Sequence, residues 1–261
     1  MLPSSAMCEG FGTAIEKTSE RMSLSEGSSV SSSPEAPALA QALELLGDVA
    51  DYAAGVSGQG KTIAAHAVAM ARMADVAAHE TGALFFAARL RNAGVLGNDA
   101  FSKNRELSER EARLLRSDVP ARGARFCEKI AALPKGTAEI VRWQAECWDG
   151  TGYPDFLRWG SIPKAAQLLH IASAYAATAD PDEGLASICA LSGRAFAPQH
   201  VRTFVMWFHS FGGEIEQLEH LPASLDASKT TAGDLYALLD AAVRSHNTDV
   251  AQFASRLRSA R

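Results

Sequence analysis

The chain has 261 residues, 47% hydrophobic and 21% charged, enough to bury a sizeable core in one principal domain. A formal net charge of -5 supplies no basic surface for nucleic acid or anionic lipid, and no apolar run reaches the ~18 residues that span a bilayer, so neither nucleic acid nor membrane is expected as a partner. Cys8, Cys127, Cys147 and Cys189 form no C-x-x-C pair, which argues against a zinc knuckle and a disulfide framework and fits a reducing cytoplasm.

Residues 1–37 are rich in Ser, Gly and Glu without a sustained apolar period and read as a disordered tail. Frequent Ala and scarce β-branched runs favour helices in the rest. Ordered structure is expected from Ala38, where Leu39, Ala42, Leu43, Leu46 and Val49 recur at helical spacing until Gly55 and Gly58. A second helix is predicted over Lys61 to His79, carrying Ile63, Ala67, Met70 and Met73 on one side, and a third over Gly82 to Asn92. Ser108-Glu109-Arg110-Glu111 has capping-box form and opens a helix expected to break at Pro120, followed by helices over Ala121 to Ala132 and Lys135 to Ala145.

A long loop, Glu146 to Ile162, is crowded with Gly, Pro and aromatic residues, a length usually reserved for function. Pro163 then starts a helix, Asp180-Pro181-Asp182-Glu183 starts another, and Pro198 to Phe211 gives a strongly apolar one. Gly233 to Arg261 reads as a helical hairpin. The domain reading is therefore a tail at 1–37, a helical domain at 38–222 and a C-terminal extension at 223–261.

Trp148-Asp149-Gly150-Thr151-Gly152-Tyr153-Pro154, followed by Ile162-Pro163 and a helix, resembles the signature of the HD-GYP family. The similarity extends over about His66 to Phe208, and the resemblance implies an all-α, HD-GYP-like helical bundle. Members of that family hydrolyse cyclic di-GMP or related cyclic dinucleotides at a two- or three-metal site of histidines and aspartates. Carried over position by position, the resemblance puts His66 at the first histidine, Arg91 and Asn92 at the His-Asp doublet, and Val95 at the lysine after it. It puts Asp118 at a further histidine, Gln144 and Ala145 at a His-His pair, Ser173 at an aspartate and Gln167 at a phosphate-contacting arginine. His79 and His170 fall at no ligand position.

An arginine has no lone pair to give a metal, so these positions hold too few donors for a catalytic centre. The expectation is a chain without metal, cofactor or catalytic residue, not an enzyme, in which His66 is a satisfied buried histidine and an Arg91–Asp118 ion pair fills the former site. It would act as a signalling or scaffold module through protein contacts at the loop of Trp148, Asp149, Gly150, Gly152, Tyr153, Pro154, Phe156 and Trp159. Trp148 and Tyr153 are expected to anchor that loop; Phe156, where the family usually has glycine, and Trp159 are expected to be exposed. The resemblance permits a GGDEF-type cyclase domain as the partner, with two alternatives: a phosphodiesterase with a rebuilt metal site, or a sensor that binds cyclic di-GMP without cleaving it.

Overall fold

A computed structural model describes residues 35–96, 108–211, 225–226, 228–231, 233–235 and 237. Regular structure among them is helical: α1 (Glu35–Ala53), α2 (Gln59–Met73), α3 (Ala78–Leu90), α4 (Glu109–Cys127), α5 (Thr137–Trp143), α6 (Lys164–Ala176), α7 (Pro181–Ala190) and α8 (Pro198–Phe211). Short 3₁₀ turns lie at Ala93–Val95 and Trp159–Ser161. The all-α expectation holds. The predicted tail lies outside the described residues except for 35–37, which open α1 because Pro37 falls in the first turn, where its missing N–H is not needed. Beyond residues 233–235 and 237 the predicted hairpin lies outside them as well.

The core follows from the periodicities. Leu39, Leu43, Leu46 and Val49 of α1 are buried, as are Ile63, Ala67 and Met70 of α2. On α3 every residue from Thr81 to Leu90 is buried, the pattern of a helix enclosed on all sides. Tyr175 of α6 packs edge-on against Phe204, Trp207 and Phe208 of α8.

Several boundaries differ from expectation: α3 begins at Ala78 instead of Gly82, α4 ends at Cys127 instead of Ala132, and two further differences have a visible cause. The helix predicted to reach His79 stops at Met73, because Asp75 takes a left-handed φ of 51° and the Val76 N–H reaches back to the Ala71 carbonyl (2.9 Å). Aspartate tolerates that conformation, so no glycine advertises the stop. The break predicted at Pro120 does not occur: α4 runs through it. Proline costs the helix one backbone donor, but burial of Pro120, Ala121, Gly123 and Ala124 and a bond from Arg122 Nε to the Gly94 carbonyl (3.0 Å) hold both halves in line. The capping box is present, Ser108 N–H donating to the Glu111 carboxylate at 3.0 Å and Glu111 N–H to the Ser108 hydroxyl at 3.3 Å. Pro163 precedes α6, and Asp180 caps α7 as expected.

Candidate functional site

Three elements meet at a buried carboxylate. Asp51, near the end of α1, is wholly buried, and its oxygens accept from the Gly60 N–H at the start of α2 (2.9 Å) and from Asn92 Nδ2 (2.9 Å). Arg91, directly after α3, places Nη1 3.1 Å from Asp51 Oδ1 and also donates to the Ala88 carbonyl (3.2 Å). Burial pushes the Arg91 guanidinium below the ordinary arginine range, and Asp51 pulls it back. Gly60 permits this close approach: a Cβ there would stand 2.7 Å from Asp51 Oδ2 and 2.8 Å from Arg89 Nη1. The neighbouring buried Arg89 turns Nη1 toward Gly60 and binds Asp48 (2.8 Å) and the Glu44 carbonyl (3.1 Å) through Nη2.

Beside this corner lies a cavity of about 440 Å³. Arg91, Asn92, Arg116, Gln144, Tyr153 and His170 form its polar wall; Val56, Val95, Val119 and Pro120 contribute the apolar one. Gln144 Nε2 donates to the Arg91 carbonyl at 2.9 Å, and His170 Nδ1 donates to the Glu146 carbonyl at 3.0 Å, which assigns the proton to Nδ1. Burial lowers the His170 pKa, keeping the ring neutral.

The structure therefore gathers Arg91, Asn92, Gln144, Ala145 and Ser173 around one cavity. It leaves out His66 and Asp118. His66 lies among α2, α6 and α8, its ring centroid 5.1 Å from Tyr175 and 4.8 Å from Trp207. Among the described residues neither of its buried ring nitrogens has a hydrogen-bond partner, so the expected satisfied histidine is corrected to an unsatisfied one. The residue of α2 that meets the Asp51 corner is Gly60, nearly two turns earlier. Asp118 is exposed because uninterrupted α4 turns Arg116, Val119 and Pro120 to the cavity and residue 118 to solvent. The expected Arg91–Asp118 pair is replaced by Arg91–Asp51.

Sequence reasoning missed Asp51, Arg116 and His170. His170 was findable, since it precedes Ser173 by three residues on α6 and so shares its face. Asp51 was signalled only as an acidic residue within an apolar stripe.

The long loop is built around a second buried carboxylate. Glu146 is 1% exposed and accepts from the N–H groups of Asp155 (2.7 Å) and Leu157 (3.0 Å). Asp155 in turn accepts two bonds from Arg142 (2.6 and 2.7 Å) and one from Trp143 Nε1 (2.8 Å). Trp148 and Asp149 N–H groups donate to the carbonyls of Ala195 and Arg194 at 3.0 and 2.9 Å, so the half-buried Trp148 ties the loop to the segment before α8. Buried Gly152 packs on the backbone of Ala145 to Cys147, where a Cβ would collide, and the Tyr153–Pro154 peptide is cis. From this frame project Phe156 and Trp159, 67% and 60% exposed as expected, both with left-handed backbones at φ 55° and 51°. That conformation suits glycine better than a residue with a side chain.

Residues 45–192, more than half of the chain, match the HD domain family HD_5. The chain belongs to the HD domain family. Among solved structures this HD domain protein is similar to a cyclic GMP-AMP specific phosphodiesterase of V. cholerae (V-cGAP3), with a TM-score of 0.57 and 17% identity. The match covers 67% of this chain and 50% of that one, so the HD domain protein spans half of its length, and at that identity the likeness is one of fold. A search of curated proteins finds no match.

The expectation that the chain is not an enzyme is corrected by this membership, because HD domains are typically hydrolases and the solved structure of like fold is a phosphodiesterase. The divalent metal that the family implies does not fit the donors at the Asp51 corner. Arg91 already neutralises that carboxylate, the Asn92 amide nitrogen donates to it, and among the described residues no three His, Cys, Asp or Glu side chains converge. No described helix is long and apolar enough to cross a membrane.

Proposed function

We propose that this HD domain protein is a signalling module that docks a protein partner on the loop of residues 146–162, with Phe156 and Trp159 as its anchors. The observation that carries this reading is the pair of left-handed backbones under two exposed aromatic side chains. A non-glycine residue in that conformation costs about 1 to 2 kcal/mol, and such strain is characteristic of binding and switch regions. Neither ring stabilises the core in return. Arg158 lies between them, exposed and in no ion pair among the described residues. Two aromatics and an arginine are the residue types that dominate binding hot spots.

Their complement is an apolar cleft rimmed by carboxylates on a folded domain, and a GGDEF-type cyclase domain is the candidate partner. The test is retention of a purified GGDEF-type cyclase domain by the tagged full chain, as wild type and as a Phe156→Ala, Trp159→Ala double variant. Retention by the wild type alone supports the reading; equal retention by a folded double variant overturns it.

The cavity carries a second reading, in which a cyclic dinucleotide is its ligand. Arg91 and Arg116 line it with His170 and Tyr153; with Arg91 held by Asp51, Arg116 is the cation suited to a phosphate and the rings are suited to a base. The fold likeness to a cyclic dinucleotide phosphodiesterase supports the choice of ligand. Titration with cyclic GMP-AMP and cyclic di-GMP, with the products followed by chromatography, tests it: binding lost in Arg116→Ala supports the reading, and no binding of either nucleotide removes it.

A further inference from the structure

We infer that Arg91 is a resident cation: its guanidinium neutralises Asp51 and ties the end of α3 to α1, while Asp51 itself holds the Gly60 N–H at the start of α2, so that this corner of the fold closes without an exchangeable metal. A carboxylate as buried as Asp51 needs a compensating charge and a full set of donors. It has both from the chain itself, through Arg91, Asn92 and the Gly60 N–H.

The charge balance around it is even. Arg91 with Asp51 and Arg89 with Asp48 are two cations against two carboxylates, which leaves no net negative field to draw a divalent ion. An incoming metal would have to displace Arg91 and leave its guanidinium buried beside that of Arg89, a like charge already 1% exposed. Asn92 reinforces the arrangement, since its amide nitrogen reaches Asp51 at 2.9 Å and so presents a donor, not a lone pair, to the carboxylate. Gly60 completes it, because any side chain at that position would enter the space between Asp51 and the two guanidinium groups. The inference stands on this donor geometry and is independent of what docks on the loop.

The experiment is thermal unfolding of the full chain in EDTA and with added Mn²⁺, Fe²⁺ or Zn²⁺, together with Asp51→Leu, Arg91→Met and the Asp51→Leu, Arg91→Met double variant. The wild-type midpoint is expected to stay within about 1 °C across all these conditions, since a ligand that does not bind the native state cannot shift it. Each single variant strands a buried group and should lower the midpoint by on the order of 10 °C, whereas the double variant, which removes both charges, should recover most of that loss. A metal-dependent rise in the wild-type midpoint would overturn the inference, and so would a double variant whose loss equals the sum of the singles. Should a single variant fail to fold, the double variant decides alone: folded supports the resident pair, unfolded overturns it.

Discussion

His66 shows how much a single side chain can carry that its motif position did not announce. Held between the rings of Tyr175 and Trp207 with no partner at either nitrogen, it is driven by burial to a pKa of about 4 from its ordinary 6.5. The unfolded chain therefore takes up a proton near pH 6.5 that the folded chain refuses until about 4, so stability is full above 6.5 and falls as pH drops through that window. The loss attached to this residue is about 3 kcal/mol at the acid end. His200, also lowered to about 4, and His170, lowered by burial, act in the same direction. In urea unfolding at pH 7 and pH 4.5, His66→Leu should shrink the acid loss by about 2 kcal/mol; an unchanged loss would show that His66 is not the group refusing the proton. Phe156 gives a second residue-scale prediction. Phe156→Gly relieves the left-handed backbone and should stabilise the chain by about 0.5 to 1 kcal/mol while weakening partner binding, opposite signs that a purely structural role would not produce.

Among the elements, α4 depends on its contact with the 3₁₀ turn Ala93–Val95. Gly94 lies so close to the Val119 carbonyl and the Gly123 N–H that a Cβ has no room. Gly94→Ala should therefore cost about 2 to 4 kcal/mol, read as a lower urea midpoint, whereas Ser108→Ala at the exposed end of the same helix should cost only about 1. A Gly94→Ala cost below that of Ser108→Ala would mean that the turn and helix can separate without penalty. Most of the bundle was legible because its elements obey local rules: Ser108 and Asp180 cap, Pro163 and Pro181 start, and α8 begins and ends at the predicted residues. The misplaced boundaries at Pro120 and Met73 were decided by tertiary packing around Pro120 and by a left-handed aspartate at 75, neither of which leaves a periodic trace.

Across the whole molecule, the cavity was legible only in part. Arg91, Asn92, Gln144, Ala145 and Ser173 were found because the family resemblance over about His66 to Phe208 carries each of them over, but the carboxylate that organises the corner comes from α1, 40 residues before Arg91 and outside that stretch. His66 and Asp118 were drawn in by motif register; His66 packs against the rings of α6 and α8, and helix rotation turns Asp118 to solvent. The loop was more transparent, since exposed aromatics among glycines and prolines have no core-facing period to satisfy. Two surfaces are therefore proposed separately, the loop for a protein partner and the cavity beside it for a cyclic dinucleotide. Calorimetric titration of a purified GGDEF-type cyclase domain into the wild type, the Phe156→Ala, Trp159→Ala variant and Arg116→Ala tests that separation most directly. The account predicts an affinity lowered by on the order of 30-fold or more in the loop variant and unchanged in Arg116→Ala, with all three chains folded; undiminished affinity in the loop variant would contradict it.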